Sequence, residues 1–118
     1  MKIKNWMEGL FSPRNKVLSV YRRGLDKAKK HDPQGAIEDY SQVIEMLQAP
    51  RDVVSMALFN RGLVYTANGE MDKGMRDLTA VLAMPAAPEK VKSMARQKLL
   101  RMRNRGDQQD PGRLVEED

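Results

Sequence analysis

"APRDVVSMALFNRGL" occupies residues 49–63, and thirty-eight positions later the chain reads "APEKVKSMARQKLL" at 87–100. The same phrase is written twice, with an apolar ending the first time and a basic ending the second. Sliding the chain against itself by this interval aligns more than the phrase. "YRRGL" at 21–25 falls on "FNRGL" at 59–63, Ala36 on Gly74, Asp39 on Asp77 and Val43 on Val81. Ser55, Met56 and Ala57 fall on Ser93, Met94 and Ala95. Agreement at three registers marks a repeat of two full units and one half.

Each unit reads as two helices. "SPRNKVLSVYRRGLDKAKK" opens with Ser12 as an N-cap and Pro13 at the first helical position, where its missing N–H costs nothing. "HDPQGAIEDYSQVIEMLQ" restarts a helix with Asp32 capping and Pro33 in the first turn, and Ala36, Ile37, Tyr40, Val43, Ile44 and Leu47 recur at helical spacing. The second unit predicts a helix from about Pro50 to Asn68, a turn at Gly69 and a helix from about Met71 to Met84. A fifth helix is expected from near Pro88, fading before Gly106. The units so defined are 13–48, 50–85 and 88–105, preceded by a segment at 1–12 and followed by an acidic tail without ordered structure at 106–118.

In an antiparallel helix pair, residues equidistant from the turn lie side by side. Arg23 and Asp39 are equidistant from His31, and Arg61 and Asp77 from Gly69. The pattern predicts one partly buried ion pair across each hairpin, with the planar arginine fork setting the register. Gly24 and Gly62 fall mid-helix, where glycine costs roughly 1 kcal/mol against alanine. Their matched places predict close approach by the neighbouring helix near Ala36 and Gly74.

These residues resemble the tetratricopeptide repeat family. Gly62, Tyr65 and Gly69 match its small residue, aromatic and turn glycine in the second unit, with Gly74 as the next small residue and Leu78 replacing an aromatic. In the first unit Gly24, Ala36 and Tyr40 match, while Lys27 and His31 depart from the expected aromatic and glycine. The resemblance covers about 13–105. It implies an all-α fold, a right-handed α-α superhelix of about two and a half helix-hairpin repeats. The unit is four residues longer than the family's usual one, and the extra residues are placed in the connections around 48–51 and 85–89.

The resemblance also implies a function, because first helices of successive units in this family line a concave groove for a peptide or helix of a partner protein. Position by position, the groove residues are Leu18, Tyr21, Arg22 and Leu25, then Met56, Phe59, Asn60 and Leu63, then Met94, Gln97, Lys98 and Arg101. One end is apolar and the other basic, which suits an amphipathic or acidic segment. Asn60 and Lys98 match two positions of the carboxylate clamp found in some members, but Tyr21, Leu25 and Met94 stand at the other three.

Charge and composition bound the alternatives. The chain has 118 residues, no cysteine, one histidine, nine methionines and a net charge of +5. Without cysteine there is neither a disulfide nor a thiolate metal site, and a lone histidine gives a metal little to hold. No nucleophile stands in a recognisable motif with a base and no glycine loop cradles phosphate, so the chain reads as a non-enzyme needing no cofactor. It also lacks a signal-peptide pattern or an apolar run of membrane-spanning length, so a cytoplasmic location is expected. Residues 106–118 carry five acids against one arginine, a sum of −4, which leaves +9 on the remainder. Much of that lies in Lys90, Lys92, Arg96, Lys98, Arg101, Arg103 and Arg105. This stripe is open to two readings, an anion or nucleic-acid site or the solvated face of a terminal helix. No aromatics interleave with it, which argues against nucleic acid. Ala95, Leu99 and Met102 are expected to lack a covering helix, an edge where a homodimer could form. The N-terminal "KIKNWMEGLF" places Ile3, Trp6, Met7, Leu10 and Phe11 at helical spacing, suited to packing on the repeats.

Overall fold

The computed structural model describes residues 12–109, whose regular elements are all α-helices, with no strand among them. Five helices follow in order: α1 Pro13–Lys29, α2 Pro33–Glu45, α3 Arg51–Ala67, α4 Met71–Leu82 and α5 Glu89–Gln109. The expected N-terminal helix at 1–12 falls almost wholly outside the described residues, as does the tail beyond Gln109.

Local chemistry sets the helix ends. Ser12 Oγ accepts from the Asn15 N–H at 3.2 Å, and Asp32 Oδ1 accepts from the Gly35 N–H at 3.0 Å, each giving an acceptor to an N-terminal N–H that has no carbonyl partner within the helix. Pro50 and Glu70, heading α3 and α4, make no such side-chain bond. Both hairpin turns are closed in one way. The Asp32 N–H reaches Lys27 O at 2.9 Å and the His31 N–H reaches Ala28 O at 3.2 Å; Glu70 and Gly69 make the matching bonds to Tyr65 O and Thr66 O at 2.8 and 3.1 Å. This is the Schellman arrangement, which needs a left-handed residue just past the helix. His31 and Gly69 supply it, with φ of 60° and 85°. The histidine that departs from the expected glycine therefore still adopts a glycine's backbone.

α1 packs on α2 and α3 on α4, while α2 meets α3 and α4 meets α5 between hairpins; α1 also touches α3, and α3 touches α5. One apolar cluster joins Val17 and Tyr21 of α1, Ala36, Tyr40 and Val43 of α2, and Val53 and Ala57 of α3. A second joins Val54 and Leu58 of α3, Leu78 and Val81 of α4, and Ala87, Val91 and Ala95 on and before α5. Ile44, Ala49 and Met56 lie against both, so the two clusters are continuous.

Three expectations need correction. α5 continues through Gly106 to Gln109 instead of fading before it. Gly106 takes no positive φ, and one exposed glycine weakens a helix without ending it. Secondly, Gly24 meets the ring of Tyr40 instead of Ala36: a methyl there would lie 2.7 Å from Tyr40 Cε1. The second hairpin does follow the expectation, since a methyl on Gly62 would lie 3.2 Å from Gly74 O. Thirdly, Ala95, Leu99 and Met102 are not an open edge. Ala95 is fully buried and the other two pack against the second cluster, because α5 lays this face on α4 and α3.

Candidate functional site

The register of the hairpins is held by the two arginine–aspartate pairs. Arg61 Nε and Nη2 donate to the two oxygens of Asp77, both at 2.8 Å, and Nη1 donates to Ser41 Oγ of α2 at 2.9 Å. Arg61 thus ties α4 to α3 and α3 to the preceding hairpin. Its guanidinium carbon also sits 5.7 Å from the centre of the Tyr65 ring, which Lys73 Nζ approaches at 5.6 Å. In the first hairpin, Arg23 Nε and Nη2 both donate to a single oxygen, Asp39 Oδ1, at 3.1 and 2.9 Å. The other, Oδ2, is buried and makes no well-aligned hydrogen bond. Lys27 Nζ lies 3.0 Å from it, close enough for Coulomb attraction though not for good bond geometry. Burial pushes the Asp39 carboxyl up, but Arg23 and Lys27 together outweigh it and hold the group below the usual aspartate range.

With the hairpins fixed, α1 and α3 lie parallel and in equal register. Arg14 reaches Asp52 at 3.1 Å over an interval of thirty-eight residues, and Asn60 Nδ2 donates to Tyr21 Oη at 2.8 Å over thirty-nine. A near-constant interval along both helices is what parallel, unshifted helices require. The same side of α1 and α3 carries most of the sequence-predicted residues. Leu18, Leu25 and Met56 are half-buried against the first cluster, and Phe59 is half-buried against the second. Leu63 and Asn60 are half-buried, and Arg22 is exposed. α5, on the far side of α3, adds Met94 and Arg101, both exposed, and Lys98, half-buried. Gln97 beside them is exposed.

Tyr21 does not have the placing expected of a contact residue. It is only 6 % exposed, tilted against Tyr40 with ring centres 5.9 Å apart. Burial pushes its phenol up, a shift the Asn60 bond opposes. Tyr40 behind it is pushed up to about 12, by burial first and then by Tyr21 and Asp39. Tyr21 is a core residue whose hydroxyl fixes Asn60. The amide of Asn60 is correspondingly committed: Nδ2 also donates to Met56 O at 2.9 Å, within its own helix. A ligand arriving here would find Asn60 Oδ1, an acceptor, with the amide donors already engaged.

Four contacts were not foreseen from the sequence: Lys27 on Asp39, Ser41 on Arg61, Arg14 on Asp52, and Tyr21 on Asn60. The third had a legible signal. Residues 14 and 52 are the same position of successive units and carry opposite charges. Depression of the Asp52 carboxyl by its hydrogen bond to Arg14 agrees with the pairing.

Among the described residues there is no group of three or more metal-ligating side chains, and no helix is long and apolar enough to cross a membrane. Open hollows lie elsewhere: one between the hairpin turns, lined by Ala28, His31, Pro33, Val64, Ala67 and Asn68, and one along α4 at Met75, Arg76 and Thr79. Compared with known proteins, the chain matches no family model, no curated protein and no solved structure.

Proposed function

We propose that the protein is an interaction module of the tetratricopeptide type, a short right-handed helical solenoid that takes a segment of a partner protein on the side formed by α1, α3 and α5. The observation that carries this reading is the parallel, unshifted pairing of α1 and α3, held by Tyr21–Asn60 and Arg14–Asp52. It supports reading Leu18, Leu25, Met56, Phe59 and Leu63, each half-buried, as the contact residues of that side. Arg22 at one side and Lys98 and Arg101 on α5 add positive charge at its rim. An extended or helical segment with apolar anchors and acidic flanks complements such a surface. Half-buried aliphatic and aromatic side chains supply the contact area, and rim cations steer encounter more than they add affinity.

The test is affinity capture from the native host with the parent chain and with Phe59→Ala/Leu63→Ala. The double variant should keep its helical circular dichroism and lose the captured protein. Retention of the same protein at the same yield would place the contact somewhere else on the molecule.

A further inference from the structure

In both complete hairpins, one flank of the first helix is covered by the second. On α1 this flank carries Gly24 and Lys27, beside Tyr40 and Asp39 of α2; on α3 it carries Leu58 and Gly62, beside Leu78 and Asp77 of α4. Thirty-eight residues after Leu58, Gly62 and Tyr65 stand Arg96, Leu100 and Arg103 of α5. No helix covers them among the described residues: Leu100 is 53 % exposed, and both arginines are exposed. This flank is distinct from the one bearing Met94, Lys98 and Arg101, because the buried line of Val91 and Ala95 runs between the two.

The cations on this flank are poorly matched by acids. Lys92 and Arg96 stand one turn apart, a like-charge spacing that weakens a helix. Among the described residues Arg96 reaches only Glu89, 3.7 Å away and 80 % exposed, a contact too solvated to hold much, and Arg103 makes no ion pair. The covered flanks show what such cations take: Arg23 and Lys27 close on Asp39, and Arg61 holds Asp77. The helix that supplies Asp39 carries Glu38 and Glu45 as well and no lysine or arginine.

The spacing narrows the occupant further. Arg96 and Arg103 lie seven residues apart with Leu100 between them, so an antiparallel helix meets all three with two carboxylates about 10 Å apart and an apolar side chain in the middle. A phosphate backbone offers nothing to Leu100. A lipid surface would rest on the ridge opposite Ala95, where Gln97 and Asn104 are exposed and polar. A second copy paired about a twofold axis would set this flank's arginines against each other.

We infer that the α5 flank carrying Arg96, Leu100 and Arg103 is a docking site for an acidic amphipathic helix of a partner protein, which lies antiparallel on α5 as α2 lies on α1. The partner helix completes the third hairpin, its carboxylates on the two arginines and its apolar residue on Leu100. The site is independent of the side shared by α1, α3 and α5, which uses the opposite flank of α5.

Titrating the isotope-labelled full chain with two alanine-based helical peptides tests it. One carries glutamates two turns apart with a leucine between them on the same face; the other carries lysines in place of the glutamates. The acidic peptide should shift the amides of 96–103 and leave those of Leu18, Leu25 and Leu63 unmoved. Arg96→Glu/Arg103→Glu should weaken it at least about tenfold and take up the lysine peptide instead. Leu100→Asp should also weaken the acidic peptide, with the helical circular dichroism of both variants kept. Absence of shifts at 96–103 would overturn the proposal, as would shifts centred on Lys98 and Arg101. So would an unchanged affinity when the peptide's leucine is replaced by serine, which would reduce the contact to attraction for any polyanion, duplex DNA and phosphatidylserine vesicles included.

Discussion

Arg61 holds Asp77 with two nitrogens on two oxygens, each contact 2.8 Å, while Arg23 spends both of its nitrogens on one oxygen of Asp39. The two pairs occupy equivalent places, sixteen residues apart in each hairpin, yet differ in burial. The Arg61 side chain is 20 % exposed and that of Arg23 is 53 % exposed. One pair is a closed fork inside the stack; the other lies half in solvent, with Lys27 as a second cation.

That difference predicts unequal losses. Arg61→Ala strands the buried Asp77 carboxylate and frees Ser41, and should lower unfolding free energy by roughly 2–4 kcal/mol in urea titration. Arg23→Ala should cost clearly less, because Lys27 remains beside Asp39 and the arginine itself is well solvated. Equal losses would show that burial is not what separates the two pairs.

Acid should unlock the first hairpin. Asp39 has its folded pKa below that of an unfolded aspartate, about 3.9. The folded state therefore binds this proton less readily, and the group's contribution is complete above the unfolded value and lost as pH falls through the folded one. Denaturant midpoints measured from neutral pH downward should fall in that acid range, and Asp39→Asn should flatten this part of the curve while lowering stability at neutral pH.

His31 sits at φ 60°, in the left-handed region that costs an ordinary L-residue about 1–2 kcal/mol. It is exposed at the turn. His31→Gly should stabilise the protein by about 0.5–1 kcal/mol, the relief of strain being offset in part by glycine's freedom in the unfolded chain. A lower melting temperature would mean the imidazole does something in the turn beyond tolerating it.

Glycine to alanine should change sign with position. At Gly74 a methyl would collide with Thr66 Cγ2 and lie 2.9 Å from Gly62 O, a backbone atom that cannot step aside cheaply. Overpacking of this kind costs roughly 1–3 kcal/mol. At Gly106 a methyl meets nothing within 4 Å, so Gly106→Ala should gain up to about 1 kcal/mol from helix propensity alone. Thermal melts of the two variants, run side by side, make the comparison.

The thirty-eight-residue interval located both hairpins and both arginine–aspartate pairs, because equidistance from a turn is a geometric consequence of antiparallel packing. It could not tell which oxygen each arginine would take or that Lys27 would join, since these depend on side-chain rotation and burial. Tyr21, expected at the contact surface, lies in the core for a related reason: position on a helix names a face, and the depth of that face is set by the neighbours. Leu99 and Met102 looked uncovered because α5 lacks a partner in the alignment of units, yet the helix turns that face onto α3 and α4.

The claim on which the functional account rests is that the side shared by α1, α3 and α5 is where a partner lies. Titrating the isotope-labelled chain with the segment of protein it captures, and mapping amide and methyl shifts, tests this most directly. The account predicts that shifts concentrate on Leu18, Leu25, Met56, Phe59 and Leu63 and reach Lys98 and Arg101. Shifts centred instead on Met71, Met75 and Thr79, the exposed outer side of α4, would contradict it.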